Sequence, residues 1–296
     1  MKTPSALKKG DKIGIVACAR KISKEELQPA VEVFNNWGLE VVYGKKLFNA
    51  DHQFSGTDTE RAEDLQSMLD DASVKAVISA RGGYGTVRII DKIDFTAFRN
   101  DPKWLIGYSD LTVLHSHVYN LGVETLHATM PINFPVNAEA VETLRKVLFG
   151  EKLSYEIEAH PLNRSGNAEA ELVGGNLSLL YALSGSVSDL DTKGKILFIE
   201  DLDEYLYHID RMMFNLKRSG KLENLAGLIV GGMSDMKDNA VPFGKTAEEI
   251  VLEAVREYDF PVCFNFPAGH VDRNLALIIG RKVKLEVTSG KSTLVF

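Results

Sequence analysis

The sequence predicts an α/β protein whose first half builds a parallel sheet covered on both faces, followed by a second region of different texture. Three observations carry this. Segments that are apolar throughout alternate with segments of helical period over the first 128 residues, the pattern of βα units around a doubly covered sheet. Residues 151–170, EKLSYEIEAHPLNRSGNAEA, are polar and lack helical periodicity, which marks a linker. Beyond it, three strand signals crowd together at the C-terminal end, so β-ribbon mixes there with βα units. The expected organisation is a domain over 1–150, a linker over 151–170 and a domain over 171–296.

The elements follow in order. KIGIVA is a buried strand. EELQPAVEVFNNWG (25–38) spaces Leu27, Val31, Phe34 and Trp37 at helical intervals and closes on Gly38, a C-terminal cap. LEVVYG (39–44) is a strand, and TERAEDLQSMLDD (59–71) an amphipathic helix with acidic residues early. VKAVISA (74–80) and WLIGY (104–108) are strands. LTVLHSHVYNLG (111–122) is a helix, and VETLHA (123–128) another strand. In the second half, strands are expected at KILFIE (195–200), LAGLIVGG (225–232), VCFNF (262–266), LALIIG (275–280), KVKLEV (282–287) and STLVF (292–296). Helices are expected at 204–218 and 246–257.

Composition narrows the function. The 296 residues are 45% hydrophobic and 25% charged, as in a soluble globular chain. A net charge of −7 without a basic block argues against nucleic acid. No apolar run is long enough to span a bilayer, and the N-terminus lacks a signal-peptide pattern, so the expected compartment is the cytoplasm with no membrane partner. Cys18 and Cys263 alone do not make a disulfide framework or a thiolate metal site. No H-E-x-x-H or comparable spacing points to zinc, and no metal or cofactor is expected.

In open α/β sheets ligands bind beyond the carboxyl ends of the strands. Four such ends carry chemistry. Arg81-Gly82-Gly83-Tyr84-Gly85 follows VISA, and Ser109-Asp110 follows WLIGY. Glu200-Asp201 ends KILFIE, and Pro267-Ala268-Gly269-His270 follows VCFNF. Acyl transfer needs these parts: a hydroxyl nucleophile, an imidazole base, a carboxylate to orient it, and backbone N–H groups for the oxyanion. Each part also has a plain structural reading. Ser109 could only cap the helix that follows. Its surroundings lack the last glycine of G-x-S-x-G. RGGYG could be a phosphate loop, although it fits neither G-x-G-x-x-G nor the P-loop. Glu200 and Asp201 could be solvated, and His270 a surface residue.

The blocks RGGYGTVRIIDKID, IGYSDLTVLH, LVGGNLSLL (172–180), LFIEDLDEYLYHIDRMMFNLKRSG and FPAGHVDRNLALIIG stand in this order along nearly the whole chain. This series resembles the LD-carboxypeptidase family, peptidase family S66. The resemblance implies an N-terminal flavodoxin-like α/β domain and a C-terminal β/α swivelling domain, with the site between them. It implies a catalytic triad of Ser109, Glu200 and His270. The oxyanion donors would be the N–H groups of Asp110 and Gly83, with Gly82 as fallback. Gly174, Gly175 and Asn176 would lie near the substrate, and Arg81 is a candidate for its carboxylate, or else a structural charge. The implied reaction is hydrolysis of the amide between an L-centre and a C-terminal D-amino acid. The typical task is trimming D-alanine from murein tetrapeptides in the cytoplasm, by a homodimer without cofactor. A related branch, the microcin C immunity peptidases, acts on peptidyl-aminoacyl-adenylates. The short stretch between Asn176 and Glu200, with tryptophan only at 37 and 104, offers no evident aromatic clamp for an adenine. A two-domain ligand-binding protein without catalysis is the reading outside enzymes.

Overall fold

The computed structural model describes residues 1–296. The chain divides into one unit comprising Met1–Lys152 with Asp272–Ile278, and a second comprising Leu153–Val271 with Ile279–Phe296.

The first unit contains β1 (Lys12–Val16), α1 (Lys24–Asn36), β2 (Glu40–Tyr43), α2 (Asp58–Asp70), β3 (Val74–Ser79), α3 (Thr96–Asn100), β4 (Trp104–Gly107), α4 (Thr112–Asn120), β5 (Thr125–His127) and α5 (Ala138–Leu148). Local chemistry fixes the helix ends. Ser23 and Glu26 form a capping box on α1, and Gly38, at φ +81°, donates its N–H to Asn35 after the last turn. Thr57 and Glu60 cap α2 in the same way. The apolar face of α1, Leu27, Ala30, Val31 and Phe34, is buried. Strands β3 and β4 pair in parallel, as do β1 with β2 and β3, and β4 with β5. The order β2-β1-β3-β4-β5 is flavodoxin-like, and it reverses direction between β1 and β3, where such sheets bind ligands.

The second unit contains β6 (Ser154–Glu158), β7 (Gly166–Asn176), α6 (Leu177–Leu183), β8 (Ile196–Leu202), α7 (Leu206–Arg218), β9 (Gly227–Ser234), α8 (Ala247–Ala254) and β10 (Val262–Cys263). After β11 (Leu277–Ile279) come β12 (Lys282–Val287) and β13 (Lys291–Val295). The second sheet runs β10-β9-β8-β7-β12-β13-β6. Its first four strands are parallel and the rest antiparallel. Strand β7 serves both halves. Gly166–Glu171 pairs with β12, and Leu172–Asn176 with β8. Its burial changes accordingly, from alternating to continuous.

Two expectations need correction. Residues 151–170 are not a linker, since they supply β6 and the first part of β7. Their polarity is that of strands with one solvated face: β6 alternates exposed and buried along SYEIE. LALIIG does not join the strands around it in sequence. Its core, β11, lies beside β5 at the edge of the first sheet. Arg273, just before it, makes a bidentate pair with Glu139 of α5 at 2.7 Å, and the Ala276 N–H donates to Thr143 Oγ1 at 3.0 Å.

Candidate active site

In the first unit the sequence candidates gather at the ends of β1, β3 and β4. Strand β4 stops at Gly107, Tyr108 is extended, and Ser109 then takes φ +64° at the start of a single 3-10 turn leading into α4. A serine in the left-handed region costs roughly 1–3 kcal/mol and persists only where surrounding contacts impose it. Ser109 is therefore more than an ordinary helix cap, whose backbone would be extended. The contacts that impose the turn are visible. Helix α4 returns His115 beneath it. A carbonyl can only accept, so His115 Nε2 donates to Gly107 O at 2.8 Å, and Nδ1 accepts from the Thr125 hydroxyl at 2.8 Å. Burial lowers the His115 pKa to about 4, so this ring is a neutral strut.

Next to Ser109, Asp110 is buried. Its Oδ2 accepts from the Thr86 N–H at 2.8 Å and the Thr86 hydroxyl at 2.6 Å, which fastens the turn to the glycine-rich loop. Burial raises its pKa, against the lowering effect of the Thr86 bonds. Neither the Asp110 nor the Gly83 N–H is taken up by a backbone carbonyl. Gly82 touches the serine closely: a Cβ there would lie 3.2 Å from Ser109 Cβ and 3.4 Å from Oγ. Arg81 points elsewhere, donating to the Lys21 carbonyl at 3.3 Å with Glu26 at 3.9 Å. Arg20, which sequence reading passed over, is exposed and lies against Gly83.

In the second unit, Glu200 and His270 come together. Glu200 is fully buried on β8, and its Oε2 accepts from His270 Nδ1 at 2.6 Å and from the His270 N–H at 3.1 Å. The imidazole side chain is 14% exposed. Burial acts to lower the His270 pKa, but the hydrogen bond and charge of Glu200, with the charge of Asp201, raise it on balance. Space for this pair is made by glycine. At Gly269, φ +100°, a Cβ would stand 2.6 Å from both Cγ and Oε2 of Glu200. On the β9 side the register shifts opposite Glu200, a bulge of the kind common beside functional groups.

Asp201 is not a solvated strand-end charge either. It is 2% exposed, and its carboxylate accepts from Asn176 Nδ2 at 3.0 Å, the Ser178 N–H at 2.9 Å and the Leu202 N–H at 2.8 Å. Burial first, and the charge of Glu200 second, raise its pKa to about 7. Asn176 is buried as well, and its Oδ1 accepts from the Ser178 hydroxyl and the Leu179 N–H as the cap of α6. Gly175 pairs with Ile199 in the β7–β8 ladder just before it. The sequence signal for Asp201 was its place beside Glu200 on a strand apolar up to that point.

Two family profiles fit this chain. The LD-carboxypeptidase N-terminal domain matches residues 13–128, and the LD-carboxypeptidase C-terminal domain matches residues 169–285. The chain belongs to the LD-carboxypeptidase family. A probable murein peptide carboxypeptidase of Bacillus subtilis (strain 168) is 39% identical to this LD-carboxypeptidase family member, over 95% of this chain and 91% of its own. The crystal structure of muramoyltetrapeptide carboxypeptidase from Oxalobacter formigenes superposes with a TM-score of 0.88 at 26% identity, covering 96% of this chain and 98% of that one. The microcin C7 self immunity protein MccF in complex with aspartyl sulfamoyl adenosine gives 0.87 at 22% identity, over 99% and 98%. That likeness concerns the fold shared across the family. No helix is long and apolar enough to cross a membrane, and no group of three or more His, Cys, Asp or Glu side chains is arranged to hold a metal.

Proposed function

We propose that this protein is a serine-type LD-carboxypeptidase that releases the C-terminal D-alanine of murein tetrapeptides. The observation that carries the reading is the buried Glu200 bound to His270 Nδ1 at 2.6 Å. A carboxylate with no exposure, given over to one imidazole, fixes the tautomer that leaves Nε2 basic. The substrate class is supported by the names of the Bacillus and Oxalobacter relatives.

In this reading Ser109 Oγ attacks the scissile carbonyl while His270 Nε2 takes its proton. The developing oxyanion is met by the N–H groups of Asp110 and Gly83, with Gly82 leaving room at the serine. The tetrahedral intermediate collapses, His270 delivers the proton to the D-alanine amine, and an ester remains on Ser109. Water, deprotonated by His270, then hydrolyses the ester. Glu200 stabilises the imidazolium in both halves. The scheme uses no metal or cofactor, and it requires the two units to bring Ser109 and His270 within hydrogen-bond reach in the working enzyme. Asn176 enters through its bond to Asp201 and its cap on α6, with Gly175 shaping the same strand end. The family resemblance extends the reading to a cytoplasmic homodimer.

The test is mass spectrometry of a murein tetrapeptide incubated with the wild type and with Ser109→Ala. Wild type is expected to remove one D-alanine, and Ser109→Ala to lose at least about 10⁴-fold in rate. Cleavage that survives Ser109→Ala overturns the mechanism. An intact tetrapeptide with folded wild type overturns the substrate, and aminoacyl-adenylate analogues then become the next candidates.

A further inference from the structure

A carboxypeptidase must hold the carboxylate at the end of its substrate, and this requirement sets a distance. From the scissile carbonyl carbon to the carboxylate carbon of one terminal residue is about 4 Å by standard bond lengths. The cation that binds it must therefore stand on the same rim as the nucleophile. Two arginines flank the Ser109 turn within the first unit. Arg81 is occupied by the Lys21 carbonyl and Glu26. Arg20 is exposed and has no ion-pair partner within the chain.

The backbone of Arg20 is pinned on both sides. Its N–H donates to Gly82 O at 3.4 Å, and its neighbours are tied to the next loop by Ser55 N–H to Ala19 O and Lys21 N–H to Gln53 O, each at 3.0 Å. Its side chain lies across Gly83. A Cβ at Gly83 would sit 2.6 Å from Arg20 Cγ, 2.7 Å from Cδ and 3.1 Å from Nε. Gly82, one residue earlier, makes the corresponding approach to Ser109. Two successive glycines, with Cα atoms about 3.8 Å apart, thus touch the nucleophile and the guanidinium stem. The nucleophile and the guanidinium stem lie against neighbouring residues of one loop.

We propose that Arg20 anchors the C-terminal carboxylate of the substrate while Ser109 attacks one residue inward. The guanidinium suits the task, because its planar fork takes a carboxylate bidentately. The assignment rests on the carboxypeptidase reading above and moves the carboxylate site from Arg81 to the loop after β1.

The test compares a murein tetrapeptide with its C-terminal amide, which lacks only the charge. Wild type is expected to favour the free acid by about 100-fold in kcat/KM, the scale of one charged hydrogen-bonded pair. Arg20→Gln should lower the acid to the level of the amide and leave the amide unchanged, with an unaltered melting temperature. Arg20→Lys should recover part of the preference, and Arg81→Gln should keep it. If Arg20→Gln retains the preference, or lowers acid and amide alike, the assignment is wrong although the enzyme reading stands. If folded wild type cleaves neither peptide, the enzyme reading falls and this assignment falls with it.

Discussion

Ser109 stands on a turn held by backbone geometry: a left-handed serine, a glycine pressed against it, and a neutral histidine beneath. His270 stands on a loop held by charge: a fully buried carboxylate below, a second buried carboxylate beside that, and a glycine that admits the first. The first arrangement stores strain of roughly 1–3 kcal/mol in the chain itself. The second concentrates desolvated charge, where removing one partner of a buried pair costs about 3–5 kcal/mol. Substitutions in the two regions should therefore differ in kind. In the first, chemistry can be removed while stability is untouched or gained. In the second, chemistry, stability and pH dependence move together.

The largest expected effect is on the charged side. Glu200→Gln should lower kcat by about 10³- to 10⁴-fold, since the tautomer and the imidazolium both lose their support. It should also move the acidic limb of the kcat/KM profile to lower pH. Glu200 raises the His270 pKa against burial, and without it the base becomes neutral at lower pH. The stability follows with a definite sign. A folded pKa above the unfolded value contributes stability that is full below that value, 6.5 for His270, and lost as pH rises through the folded pKa. Asp201, raised from 3.8 to about 7, acts in the same direction: the fold holds its proton and loses that advantage as pH climbs from about 4 to about 7. His115, with its pKa lowered to about 4, gains stability as pH rises in both proteins, so the difference between them carries the sign: the melting temperature of the wild type minus that of Glu200→Gln should fall across pH 4–8. A difference that rises with pH would contradict the buried-charge account.

Gly269→Ala comes next. The new Cβ would press on Glu200 from 2.6 Å at an unfavourable φ, so a loss of roughly 2–3 kcal/mol and a displaced His270 are expected. Denaturant unfolding and kcat would be measured together. Loss of stability without loss of kcat would separate the loop from the chemistry.

The smallest effect sharpens the contrast. Ser109→Gly removes the proposed nucleophile yet relieves the left-handed turn, and should stabilise the protein by about 1 kcal/mol. Differential scanning calorimetry should show a rise of about 2 °C. A fall would mean that the serine side chain, not the backbone, holds the turn.

The first sheet was legible in sequence because its inner strands β1, β3 and β4 are buried almost throughout, and KIGIVA, VISA and WLIGY carry no polar alternation to confuse them. The second region was harder. Strands β6 and β7 expose one face, so their polar residues resemble a linker until a pairing partner is known. Strand β11 is apolar enough to mark a buried strand, but nothing local states which sheet it enters. At the candidate site, the positions of Ser109, Glu200 and His270 at strand ends could be read. The depth of Asp201 could not, because an acidic pair at a strand end is solvated in most settings and only the packing of β7 and α6 around β8 buries it. Arg20 escaped for a related reason: its significance lies in contact with Gly83, sixty-three residues on.

Strand β11 also has a consequence in time. Roughly 150 residues separate the end of β5 from the strand that covers its edge. At about 5–20 residues per second, the ribosome needs on the order of 8–30 s to make them. Throughout that interval β5 is an open edge, a template for unwanted pairing. His270 and β11 emerge within about ten residues of each other. A chain that stops short of them lacks the proposed base and a closed first sheet alike, so an unfinished product would be inactive and also sticky, well suited to early recognition by chaperones and proteases.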